Sequence, residues 1–254
     1  MAVDEAILES VIAGSSPPTL RLYSWSPPCL SLGYFQRVER SANLGELKRR
    51  GWSLVRRPTG GRAVLHDDEL TYSVIAPISL LSSIAGASVV QTYLAVSRGL
   101  AAALEDAGIG CEIASERAGV HSAAQARLAS AACFDSPSSY ELMAGARKIV
   151  GSAQTRRSGV LLQHGSIPFS MDFSAAAAVM ALPAGGAMSL EGAMSTIHEF
   201  APECTTDALV DALVRGFEMH LMKTAQPGEL TPAELNMVEP LRAKYLSDEW
   251  NFAR

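Results

Sequence analysis

Three groups of residues in this 254-residue chain have the types and spacing that chemistry needs. The first is the loop Arg56-Arg57-Pro58-Thr59-Gly60-Gly61-Arg62, between two stretches that read as strands. Paired glycines let backbone N–H groups come close to a ligand, and the arginines offer positive charge to a phosphate or carboxylate. The loop lacks the GxxxxGK[ST] pattern of a P-loop, and taken alone it is equally a plain tight turn with solvated arginines. The second is Cys133, next to the turn residues Asp135, Ser136, Pro137 and Ser138. A cysteine beside a turn is more accessible than one inside a strand, although most free cysteines are small buried hydrophobes. The third is Lys148, fifteen residues and one hairpin further on. Turned inward beside Cys133, it would draw the thiol pKa down from about 8.5 toward neutrality and could donate to a carbonyl. Turned outward, it is a solvated strand residue.

Other residues follow from these. Gly151, Ser152, Ala153 and Gln154 continue the strand of Lys148 and are small enough to leave room above a sheet or to admit a close-packed helix. His164 and Gly165 lie on the next strand, and His66 follows the glycine loop. Each histidine either contacts substrate or is a satisfied core side chain. Cys29, Cys111 and Cys204 have no such context and read as structural.

The elements that must position these residues are legible in outline. Residues 2–13 carry Val3, Ile7, Leu8 and Val11 at helical spacing. Strands are expected at Thr19–Trp25, Cys29–Gly33, Trp52–Arg56, Ala63–Leu65 and Leu70–Ala76. A helix over Leu44–Arg50 has Asn43 as N-cap, Glu46 three residues on and Gly51 at its end. Val89–Ala107 reads as a long helix and 115–131 as a loop. Tyr140–Ala144, Lys148–Thr155 and Val160–Phe169 form a meander, its first turn a type II′ pair at Gly145-Ala146. Helices at about 173–181, 206–223 and 231–246 complete the chain. Strands and helices interspersed with hairpins predict an α+β fold: a mixed, largely antiparallel sheet flanked by helices. No boundary is evident, so residues 1–254 are expected to form one domain.

Composition excludes several classes. The formal charge of −5 argues against a general nucleic-acid binder. No stretch offers the roughly 20 apolar residues of a membrane span, and the acidic start Met1–Ser10 is unlike a secretory signal. The four cysteines form no CxxC pair and the five histidines no HExxH pattern, so neither a disulfide framework nor a metal site is expected. A reduced, cytoplasmic protein is the default.

Taken together and in order, the runs RRPTGGRAVLHDDELTYSV (56–74), CFDSPSSYE (133–141) and KIVGSAQTRRSGVLLQHGSI (148–167) resemble the superfamily of lipoate–protein ligases, biotin–protein ligases and octanoyltransferases. They are most like its octanoyltransferase branch of the LipM type, as are the start MAVDEAIL and the end KYLSDEWNFAR. The resemblance implies a fold like the catalytic domain of biotin ligases. It implies transfer of an octanoyl group from acyl carrier protein to a lysine of a lipoyl domain, typically the H protein of glycine cleavage. It implies Cys133 as nucleophile and Lys148 as active-site lysine. It implies the glycine loop (Arg57, Thr59, Gly60, Gly61) and the strand Gly151, Ser152, Ala153, Gln154 as acyl-pocket lining, and a monomer as the working unit; His66, His164 and Gly165 join them as expected substrate-binding residues. Two positions depart from the branch: Ser139 stands where relatives commonly carry tryptophan, and Gly145-Ala146 where they carry an acid-glycine turn. Relatives also usually carry a short strand ahead of the first helix.

On this reading Cys133 forms an acyl thioester that an acceptor lysine resolves, and no ATP or metal is needed because the donor thioester is already activated. An apolar tunnel for the eight-carbon chain would contribute about 0.8 kcal/mol per CH₂ buried. A second reading is an ATP-dependent lipoate ligase, needing Mg²⁺ and no cysteine; a third is an acyl-chain carrier, which leaves the Cys133–Lys148 pairing unexplained. Residues 37–62 hold eight basic and two acidic side chains. That asymmetry either steers an acidic carrier protein or is an ordinary solvated face.

Overall fold

A computed structural model describes residues 1–114, 140–221 and 224–253. The segment that holds Cys133, Ser139 and the expected 115–131 loop lies outside them.

Two sheets organise the described residues. The larger has six strands in the order β1 (Thr19–Tyr23), β5 (Glu69–Pro77), β9 (Val160–Pro168), β8 (Arg147–Arg157), β7 (Leu142–Ala144) and β6 (Glu112–Ile113), every pair antiparallel. The smaller has β2 (Cys29–Leu32) between β3 (Ser53–Arg56), which runs parallel to it, and β4 (Val64–His66), which runs antiparallel. The expectation of a mixed, largely antiparallel architecture flanked by helices is met, but its one parallel pair sits in a second sheet. Strands β4 and β5 are adjacent in sequence and read as a hairpin, yet they belong to different sheets. The short link Asp67-Asp68 carries the chain from one sheet to the other.

The β7–β8–β9 meander forms as its alternation dictates, with Gly145 at φ 62° in the first turn. That positive φ is the requirement of a type II′ turn at its first central position. Helices α5 (Val89–Asp106) and α9 (Thr206–His220) cover one face of the large sheet and bury Leu100, Leu104, Leu213 and Phe217 against Tyr72, Val74 and Leu161. Helix α1 (Ala2–Ile12) covers the other face through Ile7, Leu8 and Val11, against Ile75, Val160 and Leu162. The small sheet packs on α3 (Leu44–Arg50), α6 (Phe173–Val179) and α7 (Gly186–Ala193).

Helix ends follow their local chemistry. Asn43 accepts from the Glu46 N–H at the start of α3, and capping boxes open α5 (Ser88/Gln91) and α10 (Pro232–Leu246; Thr231/Glu234). Short helices α2 (Val38–Ser41), α4 (Ile78–Ala85), α8 (Ile197–Phe200) and α11 (Asp248–Asn251) complete the set. Helices α4 and α7 were not expected: ISLLSSIA follows a proline without a polar break, and GAMSLEGA has too few large residues to show a period. Among the described residues no single helix is long and apolar enough to cross a membrane.

Candidate active site

A narrow cleft opens between the two sheets. Its walls come from β2 (Ser31), the glycine loop (Arg57), β4 (Val64, His66), β5 (Thr71), β8 (Gly151, Ser152, Ala153) and β9 (His164, Gly165, Ser166), with Met1 at one side. Of the pocket residues expected from sequence, Arg57, His66, Gly151, Ser152, Ala153, His164 and Gly165 meet here. Sequence reasoning missed Ser31, Val64, Thr71 and Ser166. Ser31 could have been noticed as the one polar residue in the apolar run Cys29–Leu32.

Backbone proximity makes the cleft possible. A Cβ on Gly165 would lie 2.4 Å from the Gly151 carbonyl oxygen and 2.7 Å from the Tyr72 ring. Only a hydrogen lets β8 and β9 pass Tyr72 at this point. The glycine loop is held differently from expectation. A Cβ on Gly33 would lie 1.9 Å from the Gly61 carbonyl oxygen, whereas one on Gly60 would meet nothing within 4 Å. The close approach is therefore between two loops of the protein.

The loop arginines are also engaged internally. Arg56 is buried and donates to the carbonyls of Gly33, Tyr34, Gln36 and Asn251. Arg57, also buried, donates to the Ser31 carbonyl and hydroxyl and to the carbonyls of Gly60 and Arg62. Expected as a ligand for an anionic group, Arg57 lines the cleft while its N–H groups brace the loop. The basic surface of residues 37–62 shrinks accordingly: six of the eight cations reach it, and Arg49 and Arg50 both pair with Glu46.

A row of polar side chains lies along one wall. The Ser31 hydroxyl is 2.7 Å from His66 Nε2, and His66 Nδ1 is 3.4 Å from Glu69 Oε1. A guanidinium can only donate, so the Ser31 oxygen accepts from Arg57 at 2.7 Å and its proton has two acceptors in reach, His66 Nε2 and, at 3.4 Å, the Val64 carbonyl. His66 Nδ1 faces Glu69. Trp25 stacks on His66 at 4.5 Å and fixes its plane. On the opposite wall Thr59 Oγ1 is 2.7 Å from His164 Nε2. Thr59 therefore acts behind the wall, as do Gly60 and Gly61. Gln154 turns toward Thr92 and Gln163 as part of the scaffold. Among the described residues His66 Nδ1, Glu69 Oε2, His164 Nδ1 and Ser166 Oγ have no hydrogen-bond partner, so polar valence is left over around an otherwise apolar cleft.

Burial holds His164 neutral, with its pKa lowered to about 3; the Arg57 charge acts the same way and the Asp4 carboxylate opposes it. The unfolded chain takes up this proton near pH 6.5 and the folded one does not, so acid favours unfolding. Stability is expected to fall below pH 6.5 by up to about 1.4 kcal/mol per pH unit from this group. Asp4, whose pKa is lowered from 3.8, adds its own acid sensitivity only below that value. Denaturant titrations between pH 4 and 6.5 should show a shallower slope in His164→Gln; an unchanged slope would assign the effect elsewhere.

Lys148 lies on β8 three positions before Gly151, about 10 Å along the strand. Its side chain is 2% exposed and its ammonium pairs with Glu141 at 2.5 Å, so it is turned inward. Its expected partner Cys133 lies outside the described residues. Burial pushes the Cys29 and Cys111 thiols up to about 12, which leaves both protonated near neutrality. Among the described residues no cluster of His, Cys, Asp or Glu is arranged to hold a metal ion.

A family model described as the lipoyl protein ligase A/B catalytic domain matches residues 1–218, and the chain belongs to that family. Within it, relatives alike over their whole length are octanoyltransferases LipM. The protein of Kyrpidia tusciae is 44% identical, covering all of this chain and 94% of its own. That of Staphylococcus aureus is 40% identical, with the same coverage. The chain is accordingly an acyltransferase of the LipM type. Among solved structures, a lipoate-protein ligase A bound with ATP superposes with a TM-score of 0.80 at 27% identity, over 99% of this chain and 92% of that one. A bipartite archaeal lipoate protein ligase from Thermoplasma acidophilum shares the fold, with a TM-score of 0.76 over 99% of this chain and 89% of that one.

Proposed function

We propose that the protein transfers an octanoyl group from acyl carrier protein, through a thioester on Cys133, to a lysine of a lipoyl domain such as the glycine cleavage H protein. The observation that carries this reading is the full-length likeness to octanoyltransferases LipM. Cys133 in its CFDSPSSYE context and Lys148 in its own segment add the chemistry.

The Cys133 thiolate attacks the donor thioester carbonyl, and the carrier's thiolate leaves. The Lys148 ammonium donates to the developing oxyanion. The acceptor amine then attacks the acyl-cysteine, loses a proton and forms the amide as Cys133 departs as thiolate. The octanoyl chain occupies the cleft between the sheets, with Gly151–Ala153 and Gly165 as its wall. No nucleotide or metal enters this scheme. On this reading residues 1–254 act as one catalytic domain and one copy, in the cytoplasm.

The test is intact mass after incubation with octanoyl-acyl carrier protein without ATP. Wild type should gain one octanoyl group that hydroxylamine removes, and Cys133→Ala should gain none. A Cys133→Ala protein that still modifies a lipoyl domain, and does so only with ATP, would establish the ligase reading instead. The likeness to lipoate-protein ligase A keeps that alternative specific.

A further inference from the structure

The buried partner of Lys148 has no part in the scheme above. We propose that Glu141 is a positioning residue: its carboxylate fixes the Lys148 ammonium as a stationary hydrogen-bond donor to the acyl carbonyl rather than as a proton acceptor. The proposal rests on the acyl-transfer reading for its chemistry, and on the ion pair for its geometry.

The geometry is specific. Glu141 immediately precedes β7 and Lys148 is the second residue of β8, so the pair spans the hairpin that begins where the Cys133 segment ends. The two side chains are 8% and 2% exposed. An N···O distance of 2.5 Å in such a place is a charge-assisted bond. Removing either charge would strand the other away from water, so the pair acts as a unit.

The lysine backbone is clamped as well. Lys148 pairs with Met143 on one side and bridges to Met194 on the other, where its carbonyl accepts the Ser195 N–H at 2.8 Å. The neighbouring Arg147 donates to the Met194 carbonyl and pairs with Glu199. With its stem fixed on both sides, the ammonium's remaining freedom is rotation of the side chain, and Glu141 removes it. The charged groups on the elements packed here include Glu141 itself, Glu199, tied to Arg147, and Glu112 of β6, in register with Met143 on the far side of β7; Glu191 of α7 gives its carbonyl to Arg147. Strand β7 contributes none.

A donor that must meet an oxyanion gains from being held still, because no reorganisation is then needed as charge develops. Glu141→Gln keeps the shape and removes the charge. Single-turnover formation of the octanoyl-enzyme should slow by about 100-fold, with the Michaelis constant for the donor changed less than about two-fold. Glu141→Asp, which keeps the charge one methylene short, should recover part of that rate. Leu142→Ala is the control: it loosens the same buried turn without touching the pair, and should lower thermal stability while sparing the rate.

A second readout does not depend on activity. The chain has four lysines, Lys48, Lys148, Lys223 and Lys244, so labelling by trinitrobenzenesulfonate is easily mapped by peptide mass. Lys148 should be protected in wild type and in Leu142→Ala, and should label at least about 10-fold faster in Glu141→Gln. If wild type forms no acyl-enzyme but the labelling contrast holds, the transfer reading fails and the positioning role stands. Equal labelling of wild type and Glu141→Gln overturns the positioning role. A Glu141→Gln enzyme faster than wild type at neutral pH overturns the donor role, because Lys148 would then be acting as a base. Should Glu141→Gln fail to fold, Glu141→Asp decides it: a slower rate with faster labelling of Lys148 supports the proposal, and a slower rate with wild-type labelling overturns it.

Discussion

Arg56→Met should lower the melting temperature by about 10 °C or more. Arg56 is 1% exposed, and its guanidinium satisfies four carbonyls, those of Gly33, Tyr34, Gln36 and Asn251. Methionine fills similar space but donates nothing. Each buried acceptor left bare costs about 1–3 kcal/mol, and even partial relaxation leaves a loss of about 4 kcal/mol. In a chain of this size each kcal/mol moves the midpoint by about 2–4 °C. The Asn251 side chain also accepts the Arg56 backbone N–H, and the Trp250 indole donates to the Arg56 carbonyl. Both contacts survive the substitution, so the protein should still fold at low temperature. Arg56→Lys should recover little, because a single ammonium cannot span the positions that the planar fork reaches. Scanning calorimetry of the two variants decides it: a change below about 2 °C would mean the carbonyls have found other donors.

Gly165→Ala should abolish transfer while leaving a folded, weakened protein. The new methyl would meet the Gly151 oxygen at 2.4 Å, the Tyr72 ring at 2.7 Å and the Ser152 hydroxyl at 2.9 Å. Tyr72 and Ser152 can shift, but a carbonyl in a strand ladder moves only with its strand. The β8–β9 pairing must open where both strands line the cleft, at a cost of about 1–3 kcal/mol. Octanoyl-enzyme formation should fall by at least about 100-fold, as a misplacement of about 1 Å in a binding wall does. Gly60→Ala is the informative contrast. It sits in the loop that looks most like a ligand cradle, yet its Cβ would meet nothing within 4 Å. It should retain activity within a few-fold. Activity in Gly165→Ala comparable to that of Gly60→Ala would remove the cleft from the acyl path.

These two glycines show what the sequence could and could not convey. The meander holding Gly151 and Gly165 was legible because its signals are local: alternation along each strand and a glycine where the turn needs positive φ. The pairing of β2 with β3 and β4 was not legible, since it depends on residues more than twenty positions apart. The loop Arg56–Arg62 has the composition of an anion cradle, and only the fold shows Arg56 and Arg57 spent on Gly33, Ser31 and their neighbours. Ser31 escaped notice because CLSL is an unremarkable buried strand until His66 is placed beside it. Conversely, the motif around Lys148 is legible in sequence, whereas its carboxylate partner follows only from the hairpin that brings Glu141 within reach.

The way helix α1 is held has a consequence for synthesis of the protein. Asp4 accepts from Arg21, Tyr23 and Ser73, while Glu5 accepts from Lys244 and Tyr245. Helix α1 therefore waits for Lys244, made 239 positions later, before the Glu5 carboxylate has its full set of partners. Such distant pairing slows the final step of folding. A nascent chain stalled ahead of Lys244 should be unable to retain an acyl group, however complete its sheets.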